Sequence, residues 1–113
     1  MITLYGIPNC DTVRKARKWL DERAIDYQFH NFRKEGLDKA LLQKWVAALG
    51  WEALINRRGT TWRKLSEQER NNIDESSAIQ LMLTNPTIIK RPVLDLGTSH
   101  HIGFSAAQYQ ELF

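Results

Sequence analysis

The chain has 113 residues, 42% hydrophobic and 26% charged, which makes one domain able to bury a core without disulfides and excludes a disordered, collagen-like or linker-like chain. Its net charge of +3 is a modest excess that does not by itself call for nucleic acid. The apolar runs fall short of the roughly 20 residues of a membrane span, and the first residues lack the basic and apolar pattern of a secretory leader.

In chain order, Ile2-Thr3-Leu4-Tyr5 alternates and stops at Gly6, which predicts a short strand. Gly6-Ile7-Pro8-Asn9 is a turn. The spacing then predicts a helix over 11–22, with Val13, Ala16, Leu20 and Ala24 on one face and Trp19 beside them. Residues 27–32 are aromatic-rich and alternating, the pattern of a second strand. A right-handed crossover through the helix sets the two strands parallel in one sheet.

The middle of the chain reads as helical. Asp38 is a cap, Leu41, Leu42, Trp45, Val46 and Leu49 form an apolar face, and Gly50 stops it. Residues 56–61 are a polar loop. Ser66 with Glu69 forms a capping box for a short helix. Ser76 or Ser77 opens another that buries Ile79, Met82 and Leu83. Asn85-Pro86 pairs a capping residue with a proline suited to a first helical turn. The period then returns to two: Val93-Leu94-Asp95-Leu96 is a strand, Gly97-Thr98 a tight turn, and residues 100–103 a second strand, together a hairpin. Ser105 with Gln108 opens a final helix. The order is β-α-β, a helical stretch, then β-β-α. It fits one α/β domain over 1–113, a thioredoxin-like fold with a four-stranded mixed sheet and a helical insertion at about 36–90.

Cys10 is the most informative residue. It follows a predicted strand, in the turn that opens the first helix, where the leading N–H groups lack partners and the helix dipole is positive. Both favour a thiolate, so its pKa should fall below the free value of about 8.5. Arg14 or Lys15, one turn on, would add to this by folding back. A lone cysteine is often a buried structural one. Pro8, Asn9, Asp11 and Thr12 make this turn polar and accessible, which favours the reactive reading. A single cysteine excludes an internal disulfide and an all-cysteine zinc site, and a cytoplasmic address is the expectation. Three residues after Cys10 stands Val13, so a Cys-x-x-Cys pair is absent and an adduct on Cys10 must be resolved by an outside thiol.

Beyond Arg14, Lys15, Arg17 and Lys18, positive charge gathers at Arg57, Arg58, Arg63 and Lys64 and at Lys90 and Arg91. Most of it reads as solvated surface. Trp19 and Trp45 sit at helical spacing among apolar neighbours, as core residues rather than as stacking platforms. His100 and His101 are adjacent and face opposite sides of a strand, so no metal is expected. From residues alone, Arg91-Pro92 is an ordinary trans proline opening a strand; a cis bond would instead bring Arg91 and its donors toward the Cys10 turn.

The segments PNCDTVRKARKWL (8–20), NRRGTTWRKL (56–65) and NPTIIKRPVL (85–94), in this order, resemble the ArsC family of thioredoxin-fold proteins. The YffB branch is the nearer likeness and Spx a more distant one. The resemblance spans nearly the whole chain. It implies a Cys10 nucleophile, Asp11, Thr12 and Arg14 in its turn, an anion site completed by Arg91 before a cis Pro92, and basic help from Arg57 and Arg58. Of the three arginines typical of glutaredoxin-linked arsenate reductases, the first falls near Asn56, the second on Arg91, and the third in residues 101–104, where no arginine stands. Their histidine four residues before the cysteine is Gly6 here. Arsenate needs several fixed cations in its transition state, whereas a disulfide needs fewer. The resemblance therefore implies a glutathione-dependent monothiol reductase. Arsenate reduction with glutathione or glutaredoxin is one alternative, and a Spx-like regulator that binds RNA polymerase is the other. A monomer with no bound cofactor, no membrane contact and no nucleic-acid partner is expected.

Overall fold

The computed structural model describes residues 2–113. Its strands and helices run β1 (Thr3–Gly6), α1 (Asp11–Glu22), β2 (Gln28–Asn31), α2 (Phe32–Glu35), α3 (Lys39–Leu49), α4 (Trp51–Leu54), α5 (Thr60–Arg63), α6 (Glu67–Asn71), α7 (Glu75–Thr84), β3 (Val93–Asp95), β4 (His100–Ile102) and α8 (Ala106–Leu112). A single 3-10 turn, Pro86–Ile88, precedes β3. The chain divides into two compact units. One joins the residues up to Glu35 with Arg91–Phe113, and the other is Gly36–Lys90.

The first unit holds the whole sheet, in the order β2-β1-β3-β4. β1 pairs parallel with β2 and antiparallel with β3, and β3 pairs antiparallel with β4. This is a four-stranded mixed sheet of the thioredoxin-like kind. Leu4 of β1 lies opposite Leu94 of β3, so both side chains share one face. Ala16, Trp19 and Leu20 of α1 and Tyr109 of α8 close over that face in one buried cluster. Each such leucine contributes about 1.5–3 kcal/mol by leaving water. Ala24 is not part of this core. It lies past the end of α1 at φ 54 and is exposed, because the chain must reverse there to enter β2. The second strand is also shorter than its alternation suggests: Phe32 already begins α2 and is fully buried.

In the second unit, α3 packs against α7 and α4, and α7 against the 3-10 turn. Leu42, Trp45, Leu54, Ile55, Met82, Ile88 and Ile89 are among its buried side chains. Asp38 caps α3, its carboxylate accepting from Leu41 N at 2.7 Å, and Gly50 ends the helix at φ 83, a conformation open to glycine. Ser66 and Glu69 form the reciprocal box expected of them. At α7 the cap is Asp74, not Ser76 or Ser77. Ser77 is instead the third helical residue, donating its N–H to Asp74 and accepting from the Asp74 N–H. Ile55 and Ile89 meet in an isolated antiparallel bridge.

Candidate functional site

The site is built at the junction of β1 and α1. The strand ends at Gly6, residues 7–10 turn, and Cys10 becomes the N-cap of α1 in extended conformation (φ −96, ψ 127). Its N–H donates to Ile7 O at 3.3 Å and its carbonyl accepts from Arg14 N at 2.9 Å, so the backbone is committed and the half-buried thiol is left facing the helix start. A thiol is a weak acceptor and makes no capping hydrogen bond. A thiolate placed there is another matter. Burial pushes the Cys10 thiol up, but the Val13 N–H, the Arg91 side chain, the Thr12 N–H and the Arg91 charge together outweigh it and hold the thiol below its ordinary value.

Arg91 comes from the far end of the same unit. The Arg91-Pro92 bond is cis and sits immediately before β3, where the Pro92 carbonyl accepts from Gly103 N at 2.8 Å. The structure thus brings Cys10, Thr12, Val13 and Arg91 together, with Pro92 next to Arg91 in the chain. Arg14 behaves differently. Its Nη1 donates to Asp11 Oδ1 at 2.7 Å, with both side chains mostly in solvent, so the expected fold-back of Arg14 toward the sulfur is replaced by a local pair one helical turn long. Lys15 is exposed.

Arg57 and Arg58 belong to the second unit. Asn56 anchors their loop, donating its N–H to Ile88 O at 2.8 Å and accepting from Arg58 N at 3.1 Å. The Arg57 guanidinium lies 4.0 Å from Glu52 and 5.6 Å above the Trp62 ring, both at the outer limit of useful contact. The third arginine position of the arsenate reductases, residues 101–104, is occupied by His101, Ile102, Gly103 and Phe104. His101 is engaged with the Ser99 hydroxyl at 2.9 Å. Across the hairpin, His100 lies 3.5 Å from Asp95. Among the described residues no three His, Cys, Asp or Glu side chains gather as metal ligands, and no helix is long and apolar enough to cross a membrane.

Two residues of the site carry no obvious chemical signal. Val13 contributes through its backbone N–H, while its side chain is fully buried. Gly6 matters because it has no Cβ, since one built there would lie 2.8 Å from Val13 Cγ2. A histidine at this position would collide with the helix. The available signal was the glycine itself, closing a strand directly before the cysteine turn. A thiolate held by two amides and a guanidinium is a nucleophile suited to disulfide sulfur.

The ArsC family model matches residues 5–112. Among solved structures, the chain is similar to the YffB protein at 47% identity, with a TM-score of 0.94 and coverage of 98% of this chain and 97% of that one. It is similar also to an arsenate reductase (ArsC) related protein from Brucella melitensis, at 50% identity and a TM-score of 0.81, covering 97% and 92%. Among curated proteins, an uncharacterized protein of Haemophilus influenzae is 45% identical over 100% of this chain and 99% of its own length. The global transcriptional regulator Spx of Streptococcus pyogenes serotype M3 is 31% identical over 93% of this chain and 79% of its own length. The ArsC family match and the arsenate reductase related neighbour support a thiol-dependent reductase. The matched segment covers the end of β1, the cysteine turn and the Arg91-Pro92 step alike, and the chain belongs to the ArsC family.

Proposed function

We propose that the protein is a glutathione-dependent monothiol reductase in which Cys10 is the nucleophile. The observation that carries this reading is the Cys10 sulfur at the start of α1, where the Val13 and Thr12 amides and Arg91 favour its thiolate. The thiolate attacks one sulfur of a disulfide R–S–S–R′. A Cys10–S–S–R bond forms and R′–S⁻ leaves, taking a proton from water. With Val13 in the resolving position, Cys10 has no internal partner, so glutathione thiolate attacks the substrate sulfur, forming GS–SR and returning Cys10 as thiolate. A second glutathione converts GS–SR to oxidised glutathione and RSH. Two electrons leave two glutathiones and enter one disulfide.

Arg91 steadies the anionic substrate or glutathione carboxylate beside the sulfur. Asp11, Thr12, Pro92 and the pair Arg57 and Arg58 complete the proposed binding set, the last two on sequence resemblance alone. The reading places the protein in the cytoplasm, where reduced glutathione is plentiful, with glutaredoxin as the alternative reductant. It needs no bound cofactor.

The test is production of oxidised glutathione from small disulfides, coupled to glutathione reductase. Wild type turns over and Cys10→Ser falls to background, while a Cys10→Ser variant with full activity sinks the reading. Arg57→Ala and Arg58→Ala should raise KM for glutathione with little change in kcat. Arsenate-dependent glutathione oxidation above background would move the assignment to arsenate reduction. Capture of RNA polymerase subunits by the full chain, without disulfide turnover, would move it to a regulator.

A further inference from the structure

We propose that Gly6 and Val13 form a positioning pair for Cys10: the bare Cα of Gly6 lets the Val13 side chain close onto the end of β1, and that contact aims the Val13 N–H at the sulfur. This rests on reading Cys10 as the working nucleophile.

The geometry is specific. Gly6 is buried and Val13 has no exposed surface. A Cβ on Gly6 would stand 2.8 Å from Val13 Cγ2, 3.2 Å from Cγ1 and 3.6 Å from Cβ. The first distance is shorter than a carbon–carbon contact allows, and the second is tight enough that the neighbour must give by a few tenths of an ångström. Gly6 has no left-handed φ to explain it, unlike Gly36, Gly50, Gly97 and Gly103. Its identity is therefore set by the approach of the helix and not by its own backbone. Val13 cannot evade an added methyl by turning, because a β-branched residue in a helix has one strongly preferred χ1. The displacement passes instead to its Cα and to the N–H it carries.

That N–H is one of the free amides at the helix start, and their directions depend on how the first turn sits against the strand. Between the strand and the helix the turn is closed by one backbone hydrogen bond, Cys10 N to Ile7 O at 3.3 Å. The Gly6–Val13 contact adds a side-chain hold on the register of the helix start against the strand. Val13 also occupies the place of a second cysteine, so one residue both removes internal resolution and holds the amide that serves the first cysteine.

The experiment is the pH profile of Cys10 alkylation by iodoacetamide in the full chain, with circular dichroism and thermal melts as folding controls. Gly6→Ala should move the midpoint up and slow alkylation about threefold at neutral pH. In Gly6→Ala/Val13→Ala the γ carbons are gone and the nearest contact becomes the 3.6 Å one, so the profile should return toward wild type. A folded Gly6→Ala protein with the wild-type profile overturns the proposal, as does a folded double variant that stays with the single one. If Gly6→Ala does not fold, Val13→Ala alone decides: it should raise the midpoint, and an unchanged profile overturns the proposal. A wild-type midpoint at or above that of a free thiol would instead remove the nucleophile reading itself.

Discussion

At the scale of single residues, the site separates two arginines that look alike in sequence. Arg14 is one helical turn from Cys10, and Arg91 is distant along the chain, yet only Arg91 acts on the sulfur. Arg14 has a nearer partner in Asp11 at 2.7 Å, and an exposed guanidinium so engaged is screened by solvent. Arg91 is half-buried and delivers both a hydrogen bond and a charge. Arg91→Ala should therefore raise the Cys10 alkylation midpoint, since loss of a lowering cause leaves burial, which pushes the thiol up, less opposed. It should also lower kcat/KM for an anionic disulfide by roughly tenfold to a hundredfold, the worth of one charged hydrogen bond. Arg14→Ala should leave the alkylation midpoint near wild type. Equal shifts from the two variants would mean that net charge, not placement, governs the thiol.

At the scale of elements, the helices with complete local signals were legible and the short ones were not. The sequence predicts α1 over the residues it occupies, because a strand, a turn and a 3.6-residue period all agree there. Asp38, Ser66 and Ser105 each accept from the amide three residues on, a bond that needs only local chain. The four-residue helices α2, α4 and α5 are too short to show a period. At α7 the sequence predicts Ser76 or Ser77 as the cap, whereas Asp74 takes that place because the reciprocal Asp74–Ser77 box satisfies both end groups at once. Cys10 was legible for the same local reason as the caps. The Gly6–Val13 approach was not, because it depends on how distant backbone packs, and the reach of Arg91 was legible only through the family resemblance, since the residues alone favour a trans proline. The end of α1 adds a test. Ala24 holds φ 54, a conformation that costs a residue with a Cβ about 1–2 kcal/mol and glycine nothing. Ala24→Gly should thus raise stability by about 0.5–1 kcal/mol in urea unfolding, the gain being trimmed by the larger entropy of glycine in the unfolded chain. A loss of stability would show that the exposed Ala24 methyl does something other than tolerate strain.

At the scale of the molecule, the sheet unit is assembled from two stretches of chain that the second unit separates in sequence. β1 is the strand that needs both, with β2 from the early stretch on one side and β3 from the late one on the other. Closing so long a loop costs only slightly more than closing a short one, because the entropy grows with the logarithm of length. The returning stretch must still bury enough to hold itself, and α8 supplies it through Tyr109. The ring has no exposed surface and meets Phe104 edge-on at 4.7 Å and Trp19 edge-on at 5.6 Å. Its hydroxyl, however, is buried with no hydrogen-bond partner among the described residues. The ring and the hydroxyl should therefore pull in opposite directions. Tyr109→Ala removes the ring and should cost about 3–5 kcal/mol. Tyr109→Phe removes only the unsatisfied oxygen and should stabilise by about 1 kcal/mol. Alkaline pH gives the same argument a second reading. Burial disfavours the phenolate and pushes the Tyr109 pKa well above its ordinary value. Stability from the neutral phenol is full below the unfolded pKa of about 10 and is lost as pH rises above it. Wild type should then weaken above about pH 10 more steeply than Tyr109→Phe, which has no proton to lose. Urea curves for both chains from neutral to alkaline pH measure this. A phenylalanine variant that is less stable than wild type at neutral pH would show that the hydroxyl makes a stabilising bond, and that the ring alone does not account for the hold of α8.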